Sequence, residues 1–306
     1  MTNNLNNRAI GFIQIILSGI CFGALGFFGK KAYQANILPG ELLALRYSIS
    51  ALITFTIILL INPKSLLLSR FEMISSLLLG IFGYALFSNM FFIALSGLSA
   101  SLTVLLLYTY PVMVAILSQF ILKEKLDKKS YLALFLTSLG MLGLVWGEWS
   151  VSDKKYILIG LGSAFFYSLY IMYSRKYLKD VKALPSSFYV QLGAGFILSS
   201  IHFSSLSRPL EIIQEHGFLV VSMAIICSLF AMTLFLAGLR SLTSSEASIL
   251  STTEPLSGVI MAILFLGENL SLLQLGGGCL ILGGMILLGL KKEGAVETPP
   301  PSVQPE

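Results

Sequence analysis

The chain has 306 residues, 56% of them hydrophobic and 11% charged, and a mean hydropathy of +0.85. Soluble domains carry about a quarter of their residues as charges, so this balance excludes an ordinary globular protein. The formal charge of +5 is distributed over short connections between apolar runs, which argues against a nucleic acid as partner.

A helix needs about 20 mainly apolar residues to cross the hydrocarbon core. Ten stretches qualify: 10–29, 40–61, 71–94, 99–121, 129–147, 156–174, 186–205, 216–237, 245–266 and 272–290. The first follows Arg8, is longer than a secretory h-region of roughly 7–15 residues and lacks a small-residue cleavage site, so it reads as a retained helix. The second contains "LLALRYSISALI" and carries Arg46 about 10 Å deep at a rise of about 1.5 Å per residue. Three readings stay open for that side chain: it snorkels outward, pairs with Glu41, or holds a substrate carboxylate.

Asn89 lies in the third stretch. The fourth reads "LYTYPVMVAILSQFILKEKL" from Leu107 to Leu126, with Tyr108 and Tyr110 before Pro111 and with Glu124 near its end. Trp146 and Trp149 fall at the end of the fifth, where amphipathic rings favour a membrane interface. In the sixth, Tyr167, Tyr170 and Tyr173 recur every third residue on one side of the helix, as a pocket wall or as ordinary aromatic packing. Gln191 in the seventh and Thr233 in the eighth resemble Asn89 in being either pocket groups or interhelical hydrogen bonds worth about 1 kcal/mol.

"STTEPLSGVIMAILFLGENL" spans Ser251 to Leu270, and its Glu254 sits near the middle of the ninth stretch, directly before Pro255. An ionisable group at such depth is costly and usually faces a bundle interior or a watery cavity. The alternative is a buried, protonated Glu in one interhelical hydrogen bond. Pro255 removes a backbone donor and frees carbonyls, which Ser251, Thr252 and Thr253 can satisfy, and Pro111 with Tyr108, Thr109 and Tyr110 makes a comparable arrangement in the fourth stretch. Two kinked helices with polar residues before the kink would form facing walls of a pocket. Ser271 and Gln274 have capping-box spacing at the start of the tenth stretch, and Asp127 takes the matching place before the fifth. Glu124 and Glu268, each three residues before such a cap, are expected to set tight connections between consecutive helices. Cys21, Cys227 and Cys279 are scattered without disulfide or metal spacing. The tail 294–306, "GAVETPPPSVQPE", reads as a disordered cytoplasmic end.

With the N-terminus placed inside, the inside connections hold 14 Lys and Arg residues and the outside ones 5, so both termini are expected in the cytoplasm. A constant offset of 144 residues pairs Pro111 with Pro255, Glu124 with Glu268, Asn89 with Thr233, and Gly140 and Met141 with Gly284 and Met285. Five spans per copy is an odd number, so the second copy enters the membrane from the opposite side. The expected fold is therefore an all-α polytopic membrane protein of ten transmembrane helices, arranged as two inverted five-helix repeats over 10–147 and 155–290. That architecture is common in secondary transporters, with the site near the midplane.

Two five-helix halves, prolines in the fourth and ninth spans, the "ILKEKL" and "FLGENL" ends, the Gly-rich "LTSLGMLGLV" and "GGGCLILGGMILLGL" helices, and Arg46 in "LLALRYSISALI" together resemble the EamA family of the drug/metabolite transporter superfamily. The resemblance covers about residues 11–290 and implies a ten-helix transporter that exports amino acids or other small metabolites. It departs from the small multidrug branch, whose first helix carries a Glu, since no acid occurs from Ala9 to Gly29.

The expected protein is an inner-membrane secondary transporter working by alternating access in the lipid bilayer on a small-molecule substrate. Its candidate binding residues are Glu254, Arg46, Tyr108, Tyr110, Tyr167, Tyr170, Asn89, Gln191, Thr233 and Ser251. Pro111, Pro255, Glu124, Glu268, Asp127 and Ser271 are expected to be structural. No nucleotide-binding loop is present, so a proton or substrate gradient is the expected energy source, with no cofactor. An uncoupled facilitator or channel is the alternative. An intramembrane enzyme is disfavoured, because His202 and His216 lack metal-ligand spacing or a partner nucleophile.

Overall fold

The computed structural model describes residues 2–146, 151–202, 208–266 and 271–290. Helices dominate because hydrocarbon offers no partner to backbone N–H and C=O groups, which must be satisfied within each segment. In chain order, α1 (Thr2–Gln34) and α2 (Pro39–Ile61) are followed by α3 (Arg70–Leu78), which runs through a π-helical segment (Leu79–Ala85) into α4 (Leu86–Leu95). Then come α5 (Ala100–Leu107), α6 (Tyr110–Ile121), α7 (Lys128–Leu144), α8 (Lys155–Leu178) and α9 (Ala183–Ile201). Helix α10 (Pro209–Ala224) passes through a second π segment (Ile225–Phe230) into α11 (Ala231–Gly238). The chain finishes with α12 (Ser244–Leu250), α13 (Thr253–Leu266) and α14 (Leu272–Gly289).

Among the described residues, 9 helical segments are long and apolar enough to cross a membrane, against the ten expected. The difference lies at the fifth stretch, where α7 has 17 residues and 147–150 are outside the described residues. Trp149, Glu268 and the tail 294–306 also fall outside them. Element boundaries nevertheless recur at the sequence offset. Helices α5 and α12 begin at 100 and 244, and α7 and α14 at 128 and 272.

Both prolines act where the sequence places them, but gently. Helix α5 stops at Leu107 and α6 resumes at Tyr110, while Tyr108 and Thr109 keep φ/ψ of −73/11 and −74/−13. This is a tightened turn, with the Thr109 N–H donating to the Leu106 carbonyl three residues back. In the second half the Ser251, Thr252 and Thr253 hydroxyls donate to the carbonyls of Ala247, Ile249 and Leu250 at 2.9, 2.6 and 2.6 Å. The Ser251 carbonyl, which loses its donor to Pro255, accepts the Glu254 N–H at 3.0 Å instead, and the three hydroxyls add bonds to the preceding turn. Asp127 and Ser271 cap α7 and α14 as expected, accepting from the Ser130 and Gln274 N–H groups at 3.0 and 3.2 Å.

Glycine-lined seams bring helices close. Helix α7 lies along α14 through Gly140, Gly143 and Gly277, whose backbones touch directly. Helix α1 packs between α11 and α13, and α8 packs against α4 and α6, while α2 pairs with α9.

Glu124 departs from the local role expected of it. Both of its carboxylate oxygens accept the Ser244 N–H at 3.1 Å, and one accepts the Ser244 hydroxyl at 3.2 Å. The side chain thus ties the connection after α6 to the N-terminus of α12, whose unpaired N–H groups favour an anion. Burial raises its pKa from the usual carboxylate value, and the Ser244 hydrogen bonds oppose that rise. Nearby, Arg8 pairs with Glu246 at 2.9 Å and the Ser118 and Ser245 hydroxyls share a bond of 3.0 Å. These contacts close one end of the bundle.

Candidate functional site

From the other end, a cavity of about 630 Å³ enters between α1, α2, α4, α5, α8 and α13. Lys30, Tyr33, Leu95, Ala100 and Trp146 mark its mouth, and Arg46, Tyr47, Tyr84, Phe87, Tyr108, Tyr110, Tyr167 and Glu254 lie along its walls. The volume suits a small metabolite.

Glu254 is the second residue of α13, so its carboxylate occupies the positive first turn of a half-helix. Gly19 and Gly23 of α1 face this turn closely enough that a side chain at either position would strike Thr253, Glu254 or Ser257. Close backbone approach there leaves Glu254 only the cavity side. Tyr108, from the break between α5 and α6, meets the carboxylate through its hydroxyl. Tyr110 is fully buried and donates to the Ser248 carbonyl at 3.5 Å.

Arg46, on α2, is 4% exposed and lines the same cavity. Its Nε–H donates to the Ser228 hydroxyl at 2.6 Å, one terminal nitrogen donates to the Cys227 carbonyl at 3.1 Å, and its guanidinium lies 4.6 Å from the centre of the Tyr47 ring. Pairing with Glu41 is overturned, because the Glu41 carboxylate caps its own helix at the Leu38 N–H and lies 3.9 Å from Arg208. Outward snorkelling is overturned as well. Arg46 and Glu254 line the same cavity and, among the described residues, form no salt bridge with each other.

An aromatic chain links the two charges. Ring centroids are 5.4 Å apart for Tyr47–Tyr84, 4.8 Å for Tyr84–Phe87, 4.5 Å for Phe87–Tyr167, 4.7 Å for Tyr167–Tyr110 and 5.8 Å for Tyr110–Tyr108. The result is a continuous π surface with a cation at one end and an acid at the other.

Of the sequence candidates, Glu254, Arg46, Tyr108, Tyr110 and Tyr167 share this cavity, and five do not. Tyr170 packs behind the wall against Tyr84, Tyr167 and Phe235. Ser251 turns its hydroxyl to its own helix. Asn89 meets His202 at 3.2 Å, and Thr233 shares a hydrogen bond with Ser187 at 2.8 Å. Gln191 accepts from Ser50 and Thr54 at 2.6 and 3.1 Å and borders a groove between α2 and α9 on the outer surface. For Asn89, Gln191 and Thr233 this is the interhelical alternative to a pocket role. Tyr47, Tyr84, Phe87 and Ser228 were not singled out by sequence. The aromatic density around Tyr84, "FGYALF", was the available signal.

Profiles of the EamA-like transporter family match residues 9–146 and again 154–290. An uncharacterized transporter of Archaeoglobus fulgidus is 26% identical over 278 residues, covering 90% of this chain and 95% of its own. The uncharacterized transporter YyaM of Bacillus subtilis is 24% identical, covering 90% and 92%. The uncharacterized inner membrane transporter YicL of Salmonella typhimurium is 25% identical, covering 92% and 95%. A solved crystal structure superposes with a TM-score of 0.76 at 18% identity, covering 92% of this chain and 96% of that one, a likeness of fold. By the two profile matches, which together take in most of its length, the chain belongs to the EamA-like transporter family.

Proposed function

We propose that the protein is a secondary transporter of the cell's inner (cytoplasmic) membrane that exports amino acids or other small metabolites by alternating access. Its spans number ten, α7 being the fifth, in two inverted repeats over 10–147 and 155–290 with both termini cytoplasmic. Several observations support the inversion. Helix boundaries recur at an offset of 144, and contacts are exchanged reciprocally, α1 with α11 and α13 against α8 with α4 and α6. Repeats of this kind place substrate between them near the midplane.

One observation carries the substrate reading: Arg46 and Glu254 face the same cavity as opposite charges, unpaired with each other and joined by an aromatic wall. A zwitterion matches that pattern, its carboxylate towards Arg46, its amine towards Glu254 and its apolar body along the rings. In the proposed orientation the cavity opens outward, and the Arg8–Glu246 and Glu124–Ser244 contacts close the cytoplasmic end.

Proteoliposome uptake of an amino-acid panel, with and without a proton gradient, tests this. Glu254→Gln keeps the size and removes the charge. The variant is expected to weaken uptake roughly tenfold or more, as loss of a charged hydrogen-bonding partner does. If Glu254 couples protons, gradient-driven uptake falls while exchange persists; if it holds the amine, both fall. Wild-type transport with unchanged pH dependence in a well-folded variant refutes the role of Glu254. Gradient-independent uptake by the wild type would favour an uncoupled facilitator.

A further inference from the structure

A buried arginine and a glutamate in one water-poor cavity attract strongly, because the interaction grows as the effective dielectric falls. Collapse into a direct pair would fill the space between them and cancel both charges. Something must hold Arg46 back, and the second π segment carries the groups that do. Regular α-helix commits each carbonyl to the N–H four residues on, whereas a π turn shifts that pattern and is often found at functional sites. Within Ile225–Phe230, the Cys227 carbonyl accepts from Arg46 at 3.1 Å and the adjacent Ser228 hydroxyl accepts from its Nε–H at 2.6 Å. Ser228 is completely buried, and Tyr47 supports the guanidinium from its ring face.

The first π segment contributes from the opposite side. Tyr84 lies within Leu79–Ala85, and its hydroxyl faces the same guanidinium. At the offset of 144, Tyr84 and Ser228 are equivalent positions of the two halves. Arg46 is therefore gripped between two matching irregular turns, each presenting a hydroxyl. Bonds to Ser228 and Cys227 leave part of its five-donor fork for a ligand.

We infer that Ser228, on the π turn of the eighth span, is a positioning residue that seats Arg46 away from Glu254 and so keeps a carboxylate-binding site open. The inference rests on Arg46 as the carboxylate site of the proposed transporter. Ser228→Ala deletes a single oxygen and leaves the helix free to fold. Without it the Nε–H loses its acceptor, and the guanidinium swings towards Glu254.

Two readouts test this. In nanodiscs containing protein labelled with ¹⁵N at arginine Nε, the Arg46 resonance is identified by its loss in Arg46→Lys and is expected to shift in Ser228→Ala. In uptake assays with L-phenylalanine and with 2-phenylethylamine, which lacks the carboxylate, Ser228→Ala is expected to raise the half-saturation for phenylalanine roughly tenfold and to weaken the amine as well, since a guanidinium drawn to Glu254 occupies the amine site. Adding Glu254→Gln should return the Arg46 resonance towards its original position, since the attracting charge is gone. An unmoved Arg46 resonance overturns the positioning role whether or not either compound is carried. An unchanged half-saturation for phenylalanine in Ser228→Ala overturns it as well. Equal effects of Arg46→Gln on both compounds instead refute the carboxylate reading beneath it, even if the resonance moves.

Discussion

Gly277 tests the seam between the fifth and tenth spans with internal controls on its own helix. A Cβ built at Gly277 would lie 2.5 Å from the Gly140 carbonyl oxygen, and one at Gly140 would lie 2.6 Å from that of Gly277. Ordinary contact begins near 3.4 Å and the Leu144 backbone nitrogen is nearer still, so Gly277→Ala must part the two backbones by at least about 0.9 Å. No flexible side chain is available to yield, because the obstructing atoms are backbone. Separations of about 0.5–1 Å forfeit a quarter to a half of the dispersion well for the atoms along the contact, and overpacking of this kind costs about 1–3 kcal/mol. Gly276 and Gly283 have nothing within 4 Å of their own Cβ positions. Alanine there removes only the flexibility of glycine and is expected to be neutral or stabilising by up to about 1 kcal/mol. Thermal unfolding of the purified protein in detergent should therefore rank Gly277→Ala several degrees below both controls, at roughly 2 °C per kcal/mol. If Gly277→Ala melts together with Gly276→Ala, the two helices do not meet through backbone contact and the packing argument fails.

Two further outcomes follow from the ends of the bundle. Burial raises the Glu124 pKa above its unfolded value, so proton binding favours the folded state: stability is fullest below the unfolded value near 4.5 and is lost as pH rises through the higher folded value. Glu124→Gln should flatten that part of the stability profile, and an unchanged slope in chemical-denaturation curves would show that Glu124 is solvated. Single cysteines at the exposed positions Lys64 and Lys155 should be labelled from opposite sides of the membrane by an impermeant maleimide, Lys64→Cys from the cytoplasm; labelling of both from one side would reject the proposed topology.

Depth was legible in this sequence and direction was not. Arg46 and Glu254 stand out because a charge inside a span is expensive wherever it points. Asn89, Gln191 and Thr233 share their depth, yet each bonds to a neighbouring helix away from the cavity. In a soluble helix the polar face marks solvent and so reveals orientation. Here lipid and core are both apolar, and a polar residue on either helix face can be satisfied by a neighbour. The capping residues Asp127 and Ser271 were readable because a cap depends on local spacing alone. The structural role expected of Glu124 extends to a partner that sequence could not name: Ser244 is 120 residues away, and no local pattern reports that distance.

The π segments explain why the floor of the site was harder to read than its charges. Neither contains proline, and in "LGIFGYA" and "IICSLF" nothing distinguishes a π turn from regular helix. Their register shift re-aims Tyr84, Cys227 and Ser228, so positions that period-3.6 counting assigns to packing meet Arg46 instead. The two segments nearly coincide at the offset that relates the halves, since Leu79–Ala85 shifted by 144 overlaps Ile225–Phe230. Irregular backbone is tolerated at membrane depth only where protein or a watery cavity satisfies it. Arg46 supplies that satisfaction at Cys227, while the segments in turn supply its seat. The charge and the irregular helix each lower the cost of the other, so a substitution that regularised either π turn would strand Arg46 as well as close the site.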